Sequence, residues 1–169
     1  RPQTAAEAVQ LRYASPDTTA YLAGGTDDLR LGGAAEGKEL IDINALGFDT
    51  IEEKDGKLYI GAQVTLQQLV ESDLIPAFIK EAAKFCASFA KRNAATVGGN
   101  LALRRDDSYL AAALCAADAK LIALSAKGEK EEKVYDYLKG SCKCLLEYIV
   151  IDKNREGWVK RFGNTSSSH

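Results

Sequence analysis

The spacing of apolar positions along the 169 residues changes every ten or so positions, which predicts short helices alternating with short strands. Between Thr4 and Tyr13, Ala5, Ala8 and Val9 fall at helical intervals. Thr4 stands as an N-cap with Glu7 three positions on, the spacing of a capping box. Ser15-Pro16-Asp17 predicts a turn, Thr19 to Ala23 a strand running into Gly24-Gly25-Thr26, and Glu39 to Ile43 a second strand. Polar residues centred on Asp55-Gly56 separate two strand-like arms between Ile51 and Ile60, which is a hairpin pattern. Thr65 is placed to cap a helix whose Leu66, Leu69 and Val70 share a face, and Pro76 to open a second helix running through Ala83 to Phe89. Lys91 to Asn100 reads as a polar, glycine-bearing loop. Beyond it the pattern predicts an apolar helix over Ser108 to Ala117, a strand over Lys120 to Ser125 and a charged hairpin-like turn over Gly128 to Lys133. A short helix over Tyr135 to Leu138, a strand over Glu147 to Asp152 and a pairing strand over Trp158 to Phe162 complete the expectation, and the fold class is α+β.

Composition narrows the function classes. An apolar content of 46% suffices for a core, and 22 basic against 24 acidic residues leave a formal charge of -2, so no basic surplus points to nucleic acid. The apolar runs Tyr109 to Ala117 and Cys144 to Ile151 are too short to cross a bilayer, and the opening residues lack signal-peptide character. No membrane association and a cytoplasmic location are therefore expected. Of the four cysteines, Cys142 and Cys144 form a C-x-C, at most half of the thiolate set that a zinc or iron–sulfur site needs, and reduced thiols are expected. The sole histidine is His169, which leaves no imidazole within the body of the chain for general-base or metal-ligand work.

Two segments are candidates for chemistry. In Tyr21-Leu22-Ala23-Gly24-Gly25-Thr26-Asp27-Asp28-Leu29, two glycines after a strand let successive backbone N–H groups converge on one point, a concavity suited to phosphate oxygens. Thr26 adds a hydroxyl, while Asp27 and Asp28 must point away from any phosphate or cap the next turn. Taken alone, this segment is accounted for more readily by a tight turn with an Asx cap. The second, Arg92-Asn93-Ala94-Ala95-Thr96-Val97-Gly98-Gly99-Asn100-Leu101, again combines a hydroxyl with two glycines, where a side chain would prevent close approach of a ligand. Neither has the G-x-G-x-x-G spacing of a Rossmann turn, and neither holds the lysine of a P-loop.

Together the two segments resemble the flavin domain of the molybdenum hydroxylases, the family of xanthine dehydrogenase and carbon monoxide dehydrogenase. In that family an A-G-G-T segment and a later R-N-x-A-T-x-G-G-N segment clasp one FAD. Leu40-Ile41-Asp42-Ile43-Asn44, Ile60-Gly61-Ala62 with Thr65-Leu66, and Leu74-Ile75-Pro76 through Glu81-Ala82-Ala83 extend the resemblance from about Thr4 to Lys160. It implies a two-lobed FAD-binding fold of the vanillyl-alcohol oxidase type, also called the PCMH type. Residues 1–48 would form an N-terminal α/β lobe, 49–155 a second α+β lobe and 156–169 the start of a C-terminal domain. It further implies that Leu22, Ala23, Gly24, Gly25, Thr26 and Asp27 wrap the pyrophosphate. Thr96, Gly98, Gly99 and Asn100 would contact the other side of the cofactor, and Lys160 would approach the flavin. The implied activity is that of a flavin-dependent, xanthine dehydrogenase-like oxidoreductase subunit. It would take electrons from a molybdopterin-binding subunit through a 2Fe-2S subunit and pass them to NAD or another acceptor. After Asn100 the sequence departs from the family. Leu103, Arg104, Arg105 and Asp106 replace a small-residue turn, and Tyr109 stands where relatives carry an aspartate that holds cofactor hydroxyls. Asp106 or Asp107 could substitute for it, and Arg104 or Arg105 could face phosphate. Equally, the segment is a solvated turn leading into the next helix. A non-catalytic assembly subunit with weakened FAD binding is the alternative that these departures suggest.

Overall fold

The computed structural model describes residues 1–30, 32–33 and 35–161. In chain order the elements are α1 (Ala5–Ala14), β1 (Thr19–Leu22), β2 (Glu39–Asp42), β3 (Ile51–Lys54), β4 (Lys57–Gly61), α2 (Leu66–Glu71) and α3 (Ala77–Cys86). There follow α4 (Phe89–Arg92), α5 (Val97–Ala102), α6 (Tyr109–Ala116), β5 (Lys120–Ser125), β6 (Gly128–Lys133), α7 (Val134–Lys139) and β7 (Leu145–Asp152). The α+β expectation holds.

β1 and β2 form a small parallel pair, and the other strands an antiparallel sheet in the order β3-β4-β7-β5-β6. β7 occupies the centre because its run Leu145-Leu146-Glu147-Tyr148-Ile149-Val150-Ile151 can be covered on both faces. Leu146 and Ile149 both enter the larger core, although three residues apart on a strand they should face opposite ways. A register shift between Ile122 and Ala123 of β5, opposite Glu147, turns the strand and brings both inward. That core unites Leu58 and Ile60 of β4 with Leu69, Ile79, Leu101, Leu110 and Leu114 from the helices on one face of the sheet. On the other face Leu145, with Leu124 beside it, joins Ala8 and Val9 of α1, Ile41 of β2 and Ile43 just beyond it. Among the described residues no helix is long and apolar enough to cross a membrane.

Local signals hold at the helix starts. Thr4 accepts the Glu7 N–H at 3.1 Å, although the Glu7 carboxylate caps Gln3 N–H at 2.7 Å rather than Thr4. Thr65 and Gln68 form a complete capping box on α2. Three expectations are corrected. The helix opened by Pro76 ends at Cys86, not Phe89. Ala87 is extended, and the Arg92 guanidinium folds back to donate to Ala87 O at 2.7 Å and Lys84 O at 3.3 Å, satisfying carbonyls at the α3 terminus. Residues 128–133 are a paired strand rather than a turn, because hydrogen bonding to β5 overrides the weak strand preference of Glu and Lys, and this charged strand protects the sheet edge. Residues 158–161 form no strand, since β4 and β5 already occupy both sides of β7. The segment crosses the helical face instead. Arg155 donates to Ala117 O at 3.0 Å, Gly157 lies on the Phe78 ring and Val159 packs on the core. Phe162 and His169 lie outside the described residues.

Candidate functional site

The second glycine segment is stitched to the chain after β4. Leu66 N–H donates to Ala95 O at 2.8 Å, Val97 N–H to Val64 O at 2.9 Å and Gly98 N–H to Ala62 O at 2.7 Å, so residues 95–98 run alongside 62–66. A β-carbon on Gly98 would lie 2.7 Å from Ala62 Cβ and 2.8 Å from its carbonyl oxygen, closer than packed atoms approach. α5 starts inside the segment, with Thr96 Oγ1 capping Gly99 N–H at 3.0 Å and the Asn100 N–H bonded to Thr96 O at 2.9 Å. The amides of Gly98, Gly99 and Asn100 are thus committed internally. Donors left on this side are the Thr96 hydroxyl and the Asn100 side-chain amide, whose Oδ1 accepts from Ser108 Oγ at 2.7 Å. Arg92, the first residue of the motif, is held by Gln67 Oε1 at 3.0 Å and the α3 carbonyls.

The first segment leaves β1 and turns under its own glycines. Gly25 has φ +64°, a conformation that costs other residues about 1 kcal/mol or more. Ala23 O accepts from Asn44 Nδ2 at 3.1 Å, and Gly25 O accepts from Leu29 N–H at 3.1 Å. In contrast, the amides of Gly24, Gly25, Thr26, Asp27 and Asp28 have no acceptor among the described residues. Asp27 is turned aside by Arg30, whose Nε donates to it at 2.8 Å. Burial, then the Asp27 charge, raises the Asp28 carboxyl above its ordinary range, and Lys38 opposes the shift. The two segments meet directly: a β-carbon on Gly24 would fall 1.8 Å from Ala94 O.

Between them opens a cleft of about 580 Å³. Ala23, Gly24, Gly25, Thr26, Asp27, Thr96, Gly98, Gly99 and Asn100 line it, whereas Leu22 and the exposed Lys160 are not among its lining residues. The cleft continues past Tyr21 to a far wall built from Tyr137, Cys142, Lys143, Cys144, Leu145 and Leu146. Sequence reasoning took Cys142 and Cys144 only as half of a thiolate set and Tyr21 only as the start of the first segment, and did not single out Tyr137, Lys143 or Lys38. The Tyr21 hydroxyl is buried without a hydrogen-bond partner among the described residues, and burial raises its pKa, so it stays a neutral donor. Only its place three residues before Gly24 on an alternating strand hinted at this. Basic groups outnumber acidic ones along the lining: Arg12, Lys38, Lys91, Arg104, Arg105 and Lys143 face Asp27, Asp28 and Asp107.

The departing segment after Asn100 is internally satisfied. Arg104 donates to Tyr137 O at 3.1 Å and Cys142 O at 2.8 Å, with its guanidinium 4.3 Å from the Tyr137 ring centroid. Arg105 and Asp107 form a two-bond pair at 2.8 Å each, and hydrogen bonding from Arg105 lowers the Asp107 pKa. Tyr109 packs edge-on against Phe85. Ser108 caps α6, so residues 105–108 form the charged turn into a helix that one sequence reading expected.

Comparison with known proteins gives concordant matches. Residues 1–151 match the family described as the FAD binding domain in molybdopterin dehydrogenase. The Escherichia coli protein YgfM is 34% identical over 151 residues, which cover 89% of this chain and 57% of that protein. The structure of the cyanide-inactivated Cu,Mo-CO dehydrogenase superposes with a TM-score of 0.82 at 25% identity, covering 90% of this chain and 57% of its counterpart. Quinoline 2-oxidoreductase from Pseudomonas putida shares the fold with a TM-score of 0.79 at 22% identity, covering 89% and 57%. The chain therefore spans a little over half the length of the relatives it matches.

Proposed function

The chain belongs to the family of FAD binding domains in molybdopterin dehydrogenases, and on that premise we propose that it holds FAD in the cleft between its glycine segments as the flavin subunit of a molybdenum-hydroxylase-type oxidoreductase. The observation that carries this reading is the segment Gly24 to Asp28, whose consecutive amides have no acceptor among the described residues and which lines a cleft that basic side chains also line. These amides donate to pyrophosphate oxygens, while Lys38 and Lys91 offset the diphosphate charge. Thr96 and Asn100 supply hydroxyl and amide donors from the opposite wall. The partnerless Tyr21 hydroxyl finds its acceptor on the bound nucleotide, which removes the cost of leaving it buried and unbonded. Gly24 lets the two walls close to backbone contact, and Gly98 seats the second wall on Ala62. FAD, when bound, supplies a carrier that accepts and releases electrons singly or in pairs.

Electrons then come from a molybdopterin-binding subunit by way of a 2Fe-2S subunit and leave to NAD or another acceptor, in a cytoplasmic, xanthine dehydrogenase-like assembly. Similarity to a Cu,Mo enzyme and the description of the family support the link to a molybdopterin-binding partner. The alternative, an assembly subunit with weakened flavin binding, draws on Tyr109, which occupies the position of the expected aspartate and packs on Phe85. A flavin titration separates the two. Saturable quenching of FAD fluorescence with a micromolar or tighter Kd supports the first reading, and no saturation supports the second. Steady-state reduction of NAD by the assembled complex then tests the acceptor.

A further inference from the structure

The far wall of the cleft carries two thiols that the proposed function does not use. Cys142 is half-buried and Cys144 buried, on the irregular segment that enters β7. The Cys144 N–H donates to Cys142 Sγ at 3.2 Å, which holds the Cys142 sulfur against the backbone of Cys144. The backbone around them is tethered on both sides. Arg104 holds Cys142 O at 2.8 Å, and Lys143 Nζ reaches Pro16 O at 3.0 Å and Asp17 Oδ1 at 3.1 Å. The thiols are therefore held side by side before any reaction, which removes most of the entropic cost of joining them. Cys86, by contrast, donates to Ala82 O within α3, and Cys115 sits on α6.

We propose that Cys142 and Cys144 are a redox modification site, converted by a peroxide into a reversible disulfide that reshapes the cleft wall and weakens FAD binding; the last step rests on the FAD reading above. The Cys142 thiol gives its proton to solvent and its sulfur attacks one peroxide oxygen. The O–O bond breaks, and one water leaves after protonation of the departing hydroxide. The Cys144 sulfur then attacks the resulting sulfenic acid, the S–O bond breaks and a second water leaves. Two thiols lose two electrons and two protons, and the peroxide is reduced by the same two electrons. The order of reaction follows from the surroundings. Cys142 is the half-buried, more accessible sulfur, whereas Cys144 is buried and burial pushes its thiol up to about 12. Because coupling between sites is reciprocal, bound FAD must disfavour the disulfide to the extent that the disulfide disfavours FAD.

The test treats the chain with hydrogen peroxide, alkylates remaining thiols and maps peptides, then titrates FAD into reduced and oxidised samples. The expected result is a mass loss of two hydrogens, free thiols falling from four to two, and one Cys142–Cys144 linkage reversed by dithiothreitol. The FAD Kd should rise roughly tenfold on oxidation. In Cys142→Ser the Kd should be the same before and after peroxide. Linkages through Cys86 or Cys115, or irreversible sulfinic acid at Cys142, would overturn the pair. A clean Cys142–Cys144 disulfide with unchanged Kd would overturn its coupling to FAD. Failure of the reduced chain to bind FAD would remove the function reading and the coupling with it, while the thiol map would still decide the pair.

Discussion

At Gly98 the amide donates to Ala62 O at 2.7 Å and at Gly99 to Thr96 Oγ1 at 3.0 Å, while across the cleft the five amides from Gly24 to Asp28 donate to nothing among the described residues. Both segments carry two adjacent glycines and a threonine, and both line the same cavity. Their glycines nonetheless serve different ends. In the second segment the missing side chains allow the backbone to lie against Ala62 and start a helix, so the glycines belong to packing. In the first, Gly24 also lies against protein, at Ala94 O, but the chain turns at Gly25 with φ +64° and its amides keep no acceptor among the described residues, which on the proposed reading leaves them for the ligand. A Gly-Gly pair thus reports close approach, and only the fate of its N–H groups tells whether the thing approached is protein or ligand.

Substitutions that break this division rank by size. Gly24→Ala should do the most damage, because its β-carbon would sit 1.8 Å from Ala94 O and force the walls apart. We expect about 3 kcal/mol of lost stability and FAD affinity reduced about 100-fold or more, read by thermal denaturation and flavin titration. Gly98→Ala should lower stability by about 1–3 kcal/mol through the clash with Ala62, yet leave the Kd of the folded fraction within about threefold. Gly25→Ala should reverse that pattern. The left-handed backbone costs about 1 kcal/mol, whereas tilting of the amide cradle weakens FAD roughly tenfold. Comparable Kd losses for Gly25→Ala and Gly98→Ala would erase the distinction. Thr96→Ala removes the α5 cap and should cost about 1 kcal/mol, restored by Thr96→Ser. Asp28→Asn should have the smallest effect. The raised folded-state pKa means that its stabilising contribution is present below the unfolded value and is lost as pH rises through the folded value. The variant should flatten the fall in stability as pH rises above the ordinary carboxylate range and gain no more than about 3 °C in Tm at neutral pH.

The elements that local chemistry dictates were legible. Thr4 and Thr65 cap helices where their side chains announce it, and the hairpin turns at Asp55-Gly56. The paired glycine motifs also led to the cavity. What the sequence hid depends on partners distant along the chain. α5 begins within a glycine-rich segment of poor helix propensity because Val97 and Leu101 are fully buried in the core and Thr96 caps the first turn. β6 consists of Gly, Glu and Lys, and β5 alone makes it a strand. The alternation at Trp158 and beyond mimics a strand, but β7, which it follows, is already flanked by β4 and β5. For the same reason nothing local distinguished the amides of the two loops, since the acceptors that occupy the second loop's amides lie at Ala62 and Thr96, and only the fold brings Ala62 there.

Residue-resolved amide hydrogen exchange with and without FAD tests the central claim most directly, because it reads the N–H groups themselves. Without ligand, Gly24 to Asp28 should exchange among the fastest amides of the chain, and Gly98 and Asn100 should already be protected. Saturating FAD should slow Gly24 to Asp28 by about tenfold or more and leave Gly98 and Asn100 nearly unchanged. Slowing confined to Gly98 and Asn100, or no slowing at Gly24 to Asp28 in a chain that demonstrably holds FAD, would contradict the account.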